Sequence, residues 1–487
     1  PSPTPRPEGS MWSRRDQLQA YQFLRRRLVS AVVVGDANHT ESPTRRVIVS
    51  TIAGCSVALL VAATLIVIGV LRPNGARVWL KGGSVIVEKE TGARFVLDQN
   101  GTLHPALNYA SARLFLGSPR AGTVAVSRKS LAVAPRGAMV GIPGAPDSLP
   151  PSDRLLSGPW SLCSNAEQAP GAPVVVSVTA ALGVPAGRTV LAEEEGVVVT
   201  VPDLGRRYLV TDGRRFLLPS KAVAQALGYA DTSTDLSVGV AWVSALPAGP
   251  DLNFVAVAGA GERGPTLEGR GTTLGQVFRV DQLSGTTQYY VLTRQGLSAL
   301  TETEAQLILA DPGVPATAGP LTPAGVAGAA LAPAPLVDSG YPDRLPRLAR
   351  AATAAAGRSS TVCATLAADG TGITAIVDLR AAALRGVVVG GARTAPADAD
   401  RTARADEVFV PPGRGALVRE SVGAGFPTSA AYLVTDQGTK YPLPDARAVD
   451  ALGYRGATVT TAPGAVLDLL PTGPALDPAD VAARVGG

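Results

Sequence analysis

The side chains whose types could do chemistry are few in this chain of 487 residues. There are two histidines, His39 and His104. A serine or cysteine triad needs a histidine beside its nucleophile, and a histidine-rich zinc site needs several imidazoles together. Two scattered histidines predict neither site. His104 lies in a β-rich segment and is interpreted as structural.

Nucleotide, metal and carboxylate chemistry have little more support. A P-loop needs a Gly-Lys-Ser/Thr step, so that backbone N–H groups and the lysine hold phosphate. None of the five lysines follows a glycine: Lys81, Lys89, Lys129, Lys221 and Lys440. The run Glu193–Glu195 could bind a cation, but a solvated loop is favoured, and a carboxylate pair for glycoside hydrolysis stays open. We therefore assign no catalytic residue, cofactor or metal site.

The longest apolar segment of the sequence is a run of 25 residues from Val47 to Leu71, and the organisation of the rest of the chain depends on it. It contains no charged residue and is flanked by Arg46 and Arg72. As a helix it would be about 37 Å long, enough to cross a hydrocarbon core of about 30 Å. A buried soluble helix, the alternative, is usually shorter and has a polar face. The run predicts a single transmembrane helix.

The flanking arginines predict the orientation of that helix. Residues 11–46 contain seven arginines, whereas the first residues beyond the run carry only Arg72, Arg77, Lys81 and Lys89. The positive-inside rule places the N-terminus in the cytosol and the C-terminal part in the periplasm. Residues 1–46 hold eight arginines and four acidic residues, a net of +4 out of +5 for the whole chain. The exported part is thus nearly neutral, which argues against nucleic-acid binding, whereas the basic residues before the apolar run suit contact with anionic membrane lipid.

A second helix is predicted before the membrane. Leu18, Tyr21, Leu24 and Leu28 recur at helical spacing with Arg25 among them. We interpret these five residues as the contact face of an amphipathic cytosolic helix, which lies on the membrane or on a partner. A simple stop-transfer flank is the alternative.

The predicted orientation determines the environment of each of the three cysteines. Cys55 lies in the apolar run and acts as a small apolar residue. Cys163 and Cys363 lie on the oxidising side of the membrane. We predict that they form a disulfide, whereas two free buried thiols are the alternative.

The exported part contains an internal repeat. YLVTDGRRFLLPSKAVAQALGY from Tyr208 matches YLVTDQGTKYPLPDARAVDALGY from Tyr432, and weaker copies begin at Phe95 and Tyr290. Each copy follows a glycine and a β-rich run, and each predicts strand, strand, turn, short strand and helix. The turn glycines are Gly101, Gly213, Gly296 and Gly438. Gly228 and Gly453 have the position of a C′ glycine.

The predicted fold class is a single-pass membrane protein, with one N-terminal transmembrane α-helix followed by an α+β periplasmic region. That region consists of four small β-β-α repeats around a disulfide-linked central domain. The predicted segments are 1–46 (cytosolic, with the amphipathic helix), 47–71 (transmembrane), 77–118 (repeat 1), 119–182 (central domain), 183–250 (repeat 2), 251–310 (repeat 3), 311–339 (a linker rich in Pro, Ala and Gly), 340–405 (central domain), 406–474 (repeat 4) and 475–487 (tail).

Several motifs carry a family resemblance. They are QLQAYQFLRRR from Gln17, the single span, LHPALNYASARLFLG from Leu103, PRGAMVGIPGAPDSLP from Pro135, and PWSLC ending at Cys163. With them the chain resembles the EccB family, a core membrane component of the actinobacterial type VII (ESX) secretion machinery. The resemblance covers essentially the whole chain after Met11.

The resemblance implies a structural subunit of the cytoplasmic (inner) membrane, which anchors and assembles the periplasmic part of the machinery. It implies as partners the FtsK-like ATPase EccC, the channel subunit EccD, EccE, the mycosin protease and further copies of the chain. The family has been discussed as ATP-hydrolysing, and the missing P-loop argues against that activity. A nucleotide hydrolase with a nonstandard site and a peptidoglycan-binding module are the alternative functions.

Overall fold

The computed structural model of the chain falls into two units, Pro1–Val78 and Trp79–Gly487. The structure describes residues 13–35, 43–71, 78–168, 171–313, 317–336, 340–349, 360–369, 372–380, 382–388, 404–422 and 426–483. Each unit is described by itself.

The described residues of the first unit form helices α1 (Arg14–Val34) and α2 (Pro43–Leu71). Ser13 begins α1 with a capping box that includes Asp16, and Gly35 ends it with a left-handed φ of 75°. Within α2, residues Val47–Val67 are long and apolar enough to cross a membrane. The helix matches the predicted span at its C-terminal end.

The second unit begins with a small module of sheet and helix. Module 1 (residues 84–131) contains β1 (Ser84–Glu88), β2 (Arg94–Leu97), β3 (Leu103–Pro105), α3 (Tyr109–Leu116), β4 (Gly122–Val126) and α4 (Arg128–Leu131). The chain then enters a central sheet through β5 (Trp160–Glu167), β6 (Val175–Leu182) and β7 (Thr189–Val190).

Two further modules follow directly. Module 2 (residues 195–245) contains β8 (Glu195–Val201), β9 (Arg206–Thr211), β10 (Arg214–Leu218), α5 (Lys221–Ala226), β11 (Leu236–Ser237) and α6 (Val240–Ala245). Module 3 (residues 277–327) contains β12 (Val277–Asp281), β13 (Thr287–Thr293), β14 (Gly296–Leu300), α7 (Glu302–Leu309), β15 (Ala318–Pro320) and α8 (Pro323–Ala327).

The chain then returns to the central sheet before it forms the last module. Strand β16 (Arg347–Leu348) pairs with β8 of module 2, and the strands that return to the central sheet are β17 (Ser360–Asp369), β18 (Gly372–Arg380), β19 (Val387–Val388) and β20 (Glu407–Phe409). Module 4 (residues 416–467) contains β21 (Ala416–Val422), β22 (Phe426–Val434), β23 (Lys440–Leu443), α9 (Ala446–Leu452), β24 (Thr460–Pro463) and α10 (Gly464–Leu467), and α11 (Pro478–Ala483) follows it.

The four modules have one strand order. In each, three antiparallel strands lie in the order third, second, first, and a fourth strand pairs parallel with the first after the helix crosses over. The helices α3, α5, α7 and α9 begin after Asn108, Ser220, Thr301 and Asp445, whose side chains accept a hydrogen bond from the third helical N–H. The turn glycines Gly101, Gly213, Gly296 and Gly438 have the positive φ that the sequence predicts.

The central sheet has seven strands in the order β19-β20-β6-β5-β17-β18-β7. Strands β5 and β17 are antiparallel neighbours with Cys163 opposite Cys363. The two halves of this unit follow the same course along the chain. In each, a module is followed by a cysteine-bearing strand, which forms a hairpin with the next strand, and then by another module. The order is module 1–β5–β6–module 2 in the first half and module 3–β17–β18–module 4 in the second. The two halves meet at the cysteine pair.

The cores show how the modules are joined. One cluster combines the central sheet with modules 2 and 4, for example through Leu162, Val199 and Val418. A second joins modules 1 and 4, and a third joins modules 2 and 3. Modules 1 and 3 also have a small core each on the second face of their sheet.

The predicted linker at 311–339 is wrong for part of its length. It contains β15 and α8, and β15 pairs parallel with β12. The prolines that suggested a linker have structural positions, since Pro320 lies on an edge strand and Pro323 in the first turn of a helix. Leu321 between them is buried.

Other predicted boundaries also shift, since the predicted bounds of repeats 1 and 3 end with their helices, whereas modules 1 and 3 continue into a parallel strand. Thus β4 lies in the segment 119–182 that was predicted as central. Conversely, β16 in 340–405 pairs with β8 of module 2, and β20 in 406–474 belongs to the central sheet. On α5, Val223 and Ala224 are buried, as is Leu227 just after the helix, whereas Ala222 is exposed.

Candidate assembly site

The predicted contact face lies open on α1. Leu18, Tyr21, Leu24 and Leu28 are between 59% and 69% exposed. With Arg25 they follow three- and four-residue steps along α1, so they share one side of the helix. Val32 continues this stripe one turn beyond Leu28 and is also exposed, a position the sequence analysis missed. The stripe is apolar surface on a helix, which is a common mode of protein and membrane contact.

Two threonine side chains of the apolar helix α2 form hydrogen bonds to carbonyls of the same helix. The Thr51 hydroxyl donates to the carbonyl of Val47 at 2.7 Å, and that of Thr64 donates to Leu60 at the same distance. Such bonds remove the need for water inside a bilayer. Cys55 lies on the exposed surface of the same helix and is not paired with another cysteine.

The disulfide predicted from sequence joins Cys163 and Cys363, and both residues are fully buried. Hydrogen-bonded polar side chains flank it on both sides. The Ser161 and Thr365 hydroxyls lie 2.9 Å apart, and the Thr361 hydroxyl donates to Oδ1 of Asn165 at 3.1 Å. The bond therefore lies inside a satisfied polar layer at the point where the two halves meet.

Module 2 is fixed to the central sheet by specific hydrogen bonds. The indole Nε1 of Trp242 on α6 donates to the carbonyl of Leu162 at 3.1 Å. The N–H of Gly239 donates to the Ser164 hydroxyl at 3.0 Å. Trp242 is completely buried, so the contact combines a large apolar area with a paired indole.

Two tyrosines tie the linking segments to the modules. The Tyr229 hydroxyl donates to the carbonyl of Pro346 at 2.7 Å, and the Tyr454 hydroxyl donates to that of Pro150 at 2.9 Å. Each tyrosine follows the C′ glycine of its helix. Burial raises the pKa of both hydroxyls, so both stay protonated as donors.

A buried arginine joins modules 1 and 4. Arg113 on α3 donates through Nε to the carbonyl of Ala451 near the end of α9, at 3.1 Å, and through its other nitrogens to Ala121 and Pro119. A cation at a helix C-terminus satisfies free carbonyls and opposes the helix dipole. Arg113 is only 8% exposed, so its loss would leave these acceptors buried.

The segment PRGAMVGIPGAP, which carries part of the resemblance, is a strap along module 1. A Cβ on Gly137 would lie 2.3 Å from the His104 ring, and one on Gly141 would lie 2.7 Å from Cβ of Leu107. The Asn108 side chain donates to the carbonyl of Ile142 at 2.8 Å. His104 is buried and bonds through Nδ1 to Ala138, so its role is structural, as predicted.

In the described part of the chain, no group of three His, Cys, Asp or Glu side chains is placed to hold a metal ion. Glu194 makes surface ion pairs with Arg344 and Arg347. The central sheet borders a cleft of about 540 Å³, but Asn165 and Thr361 in its wall are hydrogen-bonded to each other.

Comparison with known proteins decides the family. The model for the family described as type VII secretion system ESX-1, transport TM domain B, matches residues 10–486. The chain belongs to the EccB family.

Curated EccB relatives are similar over most of their length. ESX-5 secretion system ATPase EccB5 of Mycobacterium tuberculosis (strain H37Rv) is 30% identical, over 96% of this chain and 92% of the relative. ESX-3 secretion system ATPase EccB3 of Mycolicibacterium smegmatis is 26% identical over 97% and 92%. Both names contain the word ATPase.

Solved structures of EccB-containing assemblies have the same fold. A chain of an intact ESX-5 inner membrane complex matches with a TM-score of 0.63 and 29% identity, over 97% of this chain and 96% of that chain. The EccB3 dimer of an ESX-3 core complex matches with a TM-score of 0.63 and 25% identity, over 82% and 99%.

Proposed function

We propose that this EccB chain is a structural core subunit of a type VII (ESX) secretion complex in the inner membrane. One observation carries the proposal: the chain matches a subunit of an intact ESX-5 inner membrane complex along nearly the full length of both. The buried surfaces support it, since they are used for packing modules, an arrangement suited to a rigid scaffold.

In this proposal α2 crosses the membrane once, with α1 in the cytosol and the second unit in the periplasm. The arginines before α2 support that orientation. The disulfide supports it as well, because structural disulfides persist in oxidising compartments. The four modules then represent one repeated unit, a view supported by their common strand order.

The proposed partners are EccC, EccD, EccE, the mycosin protease and further copies of this chain. The exposed stripe Leu18, Tyr21, Leu24, Arg25 and Leu28 is the proposed cytosolic contact. No observation on the described part of the chain favours peptidoglycan binding over a role in assembly.

A matched pair of variants tests the contact. Leu24→Glu with Leu28→Glu puts charge on the stripe, whereas Phe23→Glu puts it on another side of α1, where Phe23 is similarly exposed (62%). We expect the double variant to lose most co-purifying secretion subunits and the control to retain them. If both variants retain the co-purifying subunits equally well, α1 does not make the contact with those subunits.

ATP hydrolysis is the second candidate function, favoured by the names of the curated relatives. Lys440 is a buried lysine that donates to the carbonyl of Leu467 at 2.6 Å, and burial lowers its pKa. Phosphate release by the purified chain, abolished by one acidic-to-amide substitution, would establish the activity. Release that disappears on stringent purification would assign it to a partner.

A further inference from the structure

Strand β4 leaves one edge of the module 1 sheet open. It pairs parallel with β1, and in the described part of the chain no strand pairs with its other side. The carbonyl of Val126 accepts from the N–H of Lys89, so Val126 faces β1. By alternation along the strand, Thr123 and Ala125 direct their N–H and C=O groups outward, and both residues are exposed.

The equivalent edge strands of the other modules are less suited to pairing, each for a different reason. In module 2, β11 has only two residues. In module 4, β24 lies against β17 of the central sheet. In module 3, β15 ends at Pro320, which lies beside Arg279 as Ala125 lies beside Val87. Proline removes an N–H and is a usual means of blocking an edge.

Nothing comparable blocks β4. Its sequence, Gly-Thr-Val-Ala-Val, contains no charge and no proline. Val124 packs in part against the small core around Trp79, so its side chain is already fixed on one face of the sheet. A five-residue, uncharged, exposed edge is a template for another strand.

We propose that β4 pairs antiparallel with β4 of a second copy of this chain. A two-fold axis beside Val124 places this residue opposite its own counterpart, and it places Thr123 opposite Ala125 of the second copy. The outward groups of these two pairs match, which gives about four backbone hydrogen bonds. No charged side chain of the strand meets its own counterpart.

Two observations favour a second copy over another occupant. Among the four equivalent edge strands in the described part of the chain, β4 is the one with five residues and no proline, and two-fold pairing closes its edge in both copies without leaving a new edge. The EccB3 relative is a dimer. The inference rests on the proposed function: a short pairing buries little area, and anchoring in one membrane raises the effective concentration of the edges.

Cysteine crosslinking in membranes tests the pairing on the full chain. Cys55→Ser removes the unpaired thiol, and Val124→Cys then places two thiols across the axis at a Cα separation of about 4.5–5.5 Å, within disulfide range. Gly319→Cys is the matched control, because Gly319 has the place of Val124 in module 3, next to Pro320. Val124→Cys with Ala125→Pro blocks the edge with the residue that module 3 tolerates.

We expect Val124→Cys to give a disulfide-linked homodimer under mild oxidation. Adding Ala125→Pro should lower the crosslinked fraction about ten-fold or more, since it removes N–H donors and inserts a ring between the strands. Gly319→Cys should stay uncrosslinked. Retention of the Cys163–Cys363 disulfide and of protease resistance checks that each variant is folded.

Three outcomes would overturn the proposal. Val124→Cys stays uncrosslinked, or it crosslinks equally well with Ala125→Pro, or it captures a different protein. Co-purification of secretion subunits is measured on the same membranes. If those subunits are absent, the proposed function fails whatever the crosslink shows, and if they are present without the crosslink, only the β4 pairing fails.

Discussion

Modules 2 and 4 share a strand order with modules 1 and 3, yet the second face of their sheets is covered differently. Modules 2 and 4 place that face on the central sheet and share one large core with it. Modules 1 and 3 cover it with their own flanking segments, around Trp79 in one and Leu267 in the other. The same local pattern therefore serves two environments.

The position of Leu103, Arg215, Leu297 and Lys440, which is equivalent in the four modules, shows how the sequence makes this difference. Modules 2 and 4 have a cationic residue at this position. Arg215 lies over the Tyr208 ring and donates to Leu246, while Lys440 lies over Tyr432 and donates to Leu467. Modules 1 and 3 have Leu103 and Leu297 instead, each buried in a separate small core.

The variant with the largest expected effect removes the disulfide that links the two halves. Cys163→Ala with Cys363→Ala opens a loop spanning 200 residues. The chain-entropy model predicts a loss of about 5 kcal/mol in the free energy of unfolding. Denaturant unfolding of the full chain in detergent measures it. A loss under about 1 kcal/mol would mean that packing alone joins the halves.

A pair of tryptophan variants then separates the two environments. Trp242→Ala and Trp79→Ala each remove a buried indole, at a cost of about 3–5 kcal/mol. Hydrogen exchange should speed up across the central sheet and module 2 for Trp242→Ala, but within module 1 for Trp79→Ala. Identical exchange patterns would contradict the division into shared and separate cores.

The junction between modules 1 and 4 is tested by Arg113→Met. The change leaves carbonyls of Ala451 and Ala121 unpaired, which we expect to cost about 2–4 kcal/mol. Gln306→Met is the control, because Gln306 occupies the same helical position in module 3 and is half-buried. We expect its effect to stay below about 0.5 kcal/mol by thermal or denaturant unfolding. Similar losses in both variants would show that the position matters for helix stability instead of the junction.

The smallest test concerns the paired tyrosines. Tyr229→Phe and Tyr454→Phe each remove one hydroxyl donor to a proline carbonyl, for an expected loss of about 1 kcal/mol. Equal losses would support the equivalence of the two halves. An effect confined to one tyrosine would show that the halves use their linking segments differently.

The sequence predicted what local chemistry decides. The turn glycines, the C′ positions of Gly228 and Gly453, and the apolar run all have the predicted conformation, because φ preference and hydrophobicity are properties of the residues themselves. The pairing of Cys163 with Cys363 also followed from compartment alone.

What it missed depends on distant contacts. β15 and β11 are too short to show a period, and they form only because a parallel partner lies beside them. The linker prediction failed for this reason. Arg113 was missed as a junction residue because its acceptor in module 4, the carbonyl of Ala451, is 338 positions away in the chain.

Native mass spectrometry of the gently extracted, membrane-anchored chain tests the central claim most directly. The account predicts a stable assembly that contains more than one copy of this chain together with other secretion subunits. A chain that leaves the membrane alone, as a monomer with no bound subunit, would contradict the structural role.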